Sequence, residues 1–173
     1  MGIGFASALG LTASVLHIFN HALMKGALFM AVGALVYRIG HSQISQFKGL
    51  GRQMPWTFAA LVLAGLSLIG IPGTAGFISK WYLVLAAIEQ QAWFIAIIIL
   101  GGSLLAVIYM WKLVEALFFQ SASEERAPDK EAPLSLLVPT WILVIANIYF
   151  GLNTELTVNA AEAAVKILEN VSP

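Results

Sequence analysis

Residues 16–29, LHIFNHALMKGALF, decide how this chain is read. His17, His21 and Lys25 recur at spacings of four inside an otherwise apolar run. Positions i, i+4 and i+8 fall on one face of an α-helix, so the three side chains form a stripe. The run extends from about Leu11 to Tyr37 and ends at Arg38, which exceeds the roughly 20 residues needed to cross a bilayer core. Lys25 sits near its middle, too far from either end for a lysine stem to reach water. An ionisable group at that depth costs about 2.5–3.5 kcal/mol even on the lenient insertion scales, and normally faces the protein interior or a hydrated cavity. Histidine takes and releases protons around pH 6.5. Three such groups about 6 Å apart along the helix, bridged by waters, suit a proton relay. Taken singly, either histidine would serve equally well as a hydrogen-bonding residue between helices.

The rest of the composition agrees with a membrane setting. Of 173 residues, 60% are hydrophobic and 10% charged, with a mean hydropathy of +0.86, whereas soluble domains are about 25% charged. Net charge is +0, so no polyionic partner such as nucleic acid is expected. The absence of cysteine excludes disulfides, thiol chemistry and cysteine-ligated metal. No small-residue cleavage site or basic leader marks a signal peptide.

Four apolar stretches predict an all-α membrane protein with about four to five transmembrane helices. The spans are placed at about 11–37, 55–88, 93–119 and 134–152, making residues 1–152 one transmembrane domain. Residues 1–10 read as the tail of a preceding helix, and 153–173 as a C-terminal amphipathic surface segment. The second stretch is long enough for two short helices or one broken crossing, and loop charge separates these. Arg38, Lys48 and Arg52 lie in the loop 38–54, and Arg126 and Lys130 in the loop 120–132 beside Glu124, Glu125, Asp129 and Glu131. The link at Glu89, Gln90 and Gln91 has no Lys or Arg. One discontinuous crossing puts every one of these basic residues on the cytoplasmic side, so the break is placed at Gly70–Gly73.

That break lies in GIPGTAGFISKWYL, residues 70–83. Pro72 removes a backbone donor, and Gly70, Gly73 and Gly76 permit an unwound turn. Backbone groups freed in the membrane centre must be satisfied locally, which makes broken helices good ion or proton sites. Lys80 follows inside the same apolar run, either as part of such a site or reaching for the interface. Lys112 and Glu115 form an i, i+3 pair of opposite charge near the end of the third span; they read as an interfacial salt bridge or, more sharply, as a point of proton access from the cytoplasm. Trp56, Trp81, Trp93, Trp111 and Trp141 fall mostly near span ends, as interfacial anchors do, and His41 reads as solvated. His17 and His21 have the spacing of a helical zinc pair but no third ligand. No nucleotide or phosphate loop is present, and neither a cofactor nor catalysis by the chain itself is expected.

HIFNHALMKGALF, a short basic loop and then MPWTFAALVLAGLSLIGIPGTAGFISKWYLV together resemble the antiporter-like subunits shared by Mrp-type cation/proton antiporters and complex I, with the D-type Mrp subunit as the nearest likeness. The resemblance covers essentially the whole chain but only the last third of those subunits. It implies the C-terminal part of a fourteen-helix, inverted-repeat transporter fold, with a helix broken in each repeat. It places His17, His21 and Lys25 on the connecting part of a central proton axis and Lys80 at the broken helix, and matches Asn20 beside the histidines. The implied partners are other membrane subunits of an antiporter or complex I-like assembly, protons and a monovalent cation such as Na+, and the lipid of the cell inner (plasma) membrane. The first repeat has no counterpart here, so the sequence reads as a piece of a longer subunit. Proton relay in a cation/proton antiporter is the leading expectation. Redox-driven pumping in an NADH-quinone oxidoreductase or membrane-bound hydrogenase, a non-conducting structural remnant and a stand-alone channel are the alternatives.

Overall fold

The computed structural model describes residues 2–120 and 130–171, and among these the chain is helical with no strand. Helix α1 spans Ala8–Ile39, a four-residue α2 Leu50–Gln53, α3 Pro55–Ile69, α4 Ala75–Glu89, α5 Trp93–Val114, α6 Leu134–Leu152 and α7 Glu155–Val171. A π-helical turn at Glu115–Phe119 prolongs α5. Helix α1, the 93–119 helix and α6 are each long and apolar enough to cross a membrane. Glu124, Glu125, Arg126 and Asp129 lie outside the described residues.

Helix α1 begins earlier than the hydropathy pattern places it. Ser7 is extended and its hydroxyl accepts the Gly10 amide at 3.1 Å, an N-cap that starts a helix at Ala8. Residues 8–10 therefore belong to α1, and ahead of them stands only a 3-10 turn at Ile3–Phe5 among the described residues. Gly40, left-handed at φ +74°, closes the other end by donating to Val36 O.

Alongside α1 run α3 and α4, end to end. Arg38 at the end of α1 and Trp56 at the start of α3 both bind Glu131. Met24, Ala27, Ala31 and Leu35 of α1 pack with Ala60, Leu61, Ala64 and Leu68 of α3. Farther back along α1, Asn20 meets Ala75 and His17 meets Ser79, both in α4. The two half-helices, each about 22 Å long, thus make one discontinuous crossing antiparallel to α1. Alanines spaced by four on both α1 and α3 let the backbones approach closely, the usual packing where lipid removes the hydrophobic drive. Helices α5 and α6 close the bundle through Met110, Leu117 and Val144, and α7 lies back on α1 with Ala161 and Val165 buried.

Each end of α3 carries an opposite charge. Pro55, which needs no backbone partner, opens it. The Glu131 carboxylate accepts from the Trp56 amide at 2.9 Å and from the Thr57 hydroxyl at 2.6 Å. The Arg38 guanidinium donates from Nε to the Glu131 carbonyl at 2.9 Å and from a second nitrogen to the same oxygen. Arg38, Trp56 and Glu131 therefore meet at one end of the bundle, between the loop 38–54 and the start of α6. The π-turn joins the loop 38–54, since Ala116 O accepts from the Gly49 amide at 3.0 Å.

At the break, α3 ends on Gly70 with φ +91°, Gly73 repeats the left-handed backbone at φ +89°, and Pro72 lies between them. A Cβ on Gly70 would stand 3.0 Å from Lys80 Cδ. Gly70→Ala is expected to lower stability by about 1–2 kcal/mol, the cost of a side chain in the left-handed region, seen as a lower unfolding temperature in detergent. Glu131→Ala should cost about 1 kcal/mol in the same assay through the lost cap on α3.

Candidate proton site at the broken helix

The last carbonyls of any α-helix have no partner within the helix, and in α3 they end at the break, halfway along the discontinuous crossing. Lys80 supplies the partner. Its ammonium donates to Leu68 O at 2.7 Å, to Ile69 O at 2.9 Å and to Ser103 Oγ of α5 at 2.8 Å. All three ammonium protons are used. A cation on the C-terminal carbonyls also complements the negative end of the helix dipole. The direction of the side chain follows from its place in α4: the Cα–Cβ bond tilts toward the helix N-terminus, which here is the break. Lys80 therefore reaches inward to the break and not outward to the interface.

The preceding residue faces the other way. Ser79, fully buried, has its Oγ 3.1 Å from His17 Nδ1 and donates to Gly76 O at 3.3 Å. A hydroxyl has one proton. With that proton on Gly76 O, Ser79 accepts from His17 Nδ1–H, leaving Nε2 as the basic nitrogen of the imidazole. The His17 and His21 rings follow at a centroid distance of 5.4 Å. A partly polar cleft of about 310 Å³, lined by Gly2, Ser14, His17 and Leu83 among others, opens beside His17.

Of the stripe, then, His17 is joined to the broken helix, and His21 lies against His17 from an exposed position. Lys25 is half-buried, and its side chain makes no hydrogen bond or ion pair among the described residues. Lys112 and Glu115 are both exposed and form no ion pair with each other. Glu115 opens the π-turn, where the helix widens and the i, i+3 phase of an α-helix is lost. Asn20, buried, donates to Ala75 O at 2.7 Å.

Five partners escape a reading from charge and periodicity: Ser67, Ser79, Ser103, Asn147 and Glu131. Each of the first four is a polar residue embedded in an apolar run, and that placement is the one signal the residues offer. Glu131 sits in a loop whose net charge hides its individual role.

Residues 1–106 match the family described as NADH:quinone oxidoreductase/Mrp antiporter, TM. The chain is 35% identical over 167 residues to NADH-quinone oxidoreductase subunit N of Desulforudis audaxviator, covering 90% of this chain and 33% of that protein. It is 32% identical over 157 residues to the D-type subunit of the Na+/H+ antiporter of Alkalihalophilus pseudofirmus, covering 90% and 31%. The solved Mrp complex of a Dietzia species has a chain of the same fold, with a TM-score of 0.88 over 95% of this chain and 39% of that one at 22% identity. This chain thus spans about a third of the length of these curated relatives. With its broken helix and its histidine helix both inside the matched segment, it belongs to the NADH:quinone oxidoreductase/Mrp antiporter transmembrane family.

Proposed function

We propose that this chain is the C-terminal portion of a proton-translocating subunit in a multi-subunit monovalent cation/proton antiporter of the cell inner membrane. Protons pass among Lys25, His21, His17 and Lys80 through bridging waters. The observation that carries this reading is the broken helix itself. An ammonium in mid-membrane is held on backbone carbonyls on one side of α4, and a histidine is tied to the preceding residue on the other. Both groups exchange protons, and the freed backbone gives a protonated lysine a polar environment without a fixed counter-charge. Lys112 and Glu115 serve as access from the cytoplasm. The meeting of Arg38 with Glu131 supports placing the loops 38–54 and 120–132 together on that side.

The likeness to subunit N of an NADH-quinone oxidoreductase favours a second reading, in which the same relay is driven by electron transfer in partner subunits. Purification of the chain with its native partners separates the two: flavin or iron–sulfur absorbance belongs to the second and small antiporter subunits to the first.

The relay itself is tested with Lys25→Gln and Lys80→Gln, assayed as cation-dependent proton flux in vesicles carrying the assembled complex. Glutamine keeps N–H donors for nearby carbonyls but does not titrate. Flux is expected to fall to the level of vesicles lacking the complex, with assembly unchanged. Full flux in both variants would leave a structural remnant in place of a relay.

A further inference from the structure

Three polar side chains outside the stripe hydrogen-bond around the break. Ser67, within the last turn of α3, donates to Asn147 Oδ1 of α6 at 2.6 Å and accepts from the Gly76 amide of α4 at 3.1 Å. Asn20 of α1 holds the adjoining Ala75 carbonyl. Consecutive residues at the start of α4 are thus gripped from α1 and from an α3–α6 pair at once. All three gripping side chains are fully enclosed, with exposures of 1% for Asn20, 0% for Ser67 and 2% for Asn147. Gly76 fits so tightly that a Cβ there would stand 1.9 Å from Ser67 O. Each amide also leaves one group unpaired among the described residues, Asn20 Oδ1 as acceptor and Asn147 Nδ2 as donor. In an apolar interior an unpaired amide atom costs free energy, so these groups are a liability that packing alone does not require.

We propose that Asn20, Ser67 and Asn147 form a latch that fixes α4 against α3 in the register bringing Lys80 onto the Leu68 and Ile69 carbonyls, and are positioning residues for that lysine. The latch and its cargo share one short piece of chain. Ser67 immediately precedes the two carbonyls that Lys80 takes, and Gly76 lies one turn before Lys80 on α4. Slackening Ser67 lets α4 slide or turn, and the ammonium loses acceptors even though no residue it touches has changed. Around Lys80, His17 is the titratable side chain brought from α1 through Ser79. Ser103 faces it from α5, α3 carries no titratable residue, and α6 contributes the uncharged Asn147.

The inference rests on the relay reading only for its effect on transport, so the test reads Lys80 directly. Competitive acetylation of the detergent-purified chain across pH, with Lys80 quantified by mass spectrometry, gives the pH at which its amine becomes reactive. Ser67→Ala, which removes one oxygen atom, is expected to move that midpoint down by about one pH unit, the scale of losing a hydrogen bond to a charged group. Ser67→Thr, which keeps the hydroxyl, should restore it. Ser103→Ala, which removes a direct partner, provides the reference shift. A wild-type midpoint in Ser67→Ala and Asn147→Leu, beside a shifted one in Ser103→Ala, would overturn the latch. In vesicles, a latch variant that shifts Lys80 reactivity while Lys80→Gln leaves flux intact would retain the latch and discard the relay.

Discussion

One constraint organises this bundle: a helix that stops partway along a crossing leaves carbonyls that its own turns cannot satisfy. Leu68 and Ile69 present them, and Lys80 meets them from the following half-helix. The lysine and the break satisfy each other. Without the break, the ammonium would keep only Ser103 as an acceptor; without the ammonium, the break would expose bare backbone. The same constraint explains why α1 must be continuous and long. It is the rail against which two half-length helices are aligned, with its alanine face on α3 and its polar face on α4.

Helix α3 is bracketed electrostatically as a consequence. Glu131 stands at its positive end and Lys80 at its negative end, so both charges are matched to the dipole they terminate. The two are separated by the length of a half-helix, about 22 Å. One end is fixed to the loops through Arg38 and the other to the interior through Lys80. A half-helix of uncharged side chains thereby connects the surface cluster to the half-buried lysine.

Much of this is readable from the residues. The clustering of Gly70, Pro72 and Gly73 and the distribution of basic residues among the loops locate one broken crossing, and the structure has it there. The tilt of Cβ toward a helix N-terminus also explains why Lys80 points to the break, an argument that hydropathy, which weighs only distance to the interface, does not contain. Other features lie beyond the pattern. Ser67 and Asn147 are far apart in sequence and each looks like an isolated polar residue in an apolar run; only the packing of α6 on the break brings them together. The i, i+3 spacing of Lys112 and Glu115 assumes an α-helical phase that the π-turn removes. The true start of α1 escapes hydropathy because a serine cap carries no hydropathy signal.

The hydroxyl of Ser79 carries a consequence of its own for the proposed relay. With its single proton donated to Gly76 O, it has none to hand on, and a peptide carbonyl passes nothing onward. In this arrangement the contact between His17 and the broken helix is a cul-de-sac: charge arriving at the imidazole finds an oriented dipole and no exit. Conduction then requires the hydroxyl to swing away from the backbone before each delivery and to return afterwards. In the proposed relay, a single torsion angle would then decide whether this contact passes a proton, while bridging waters serve the other steps.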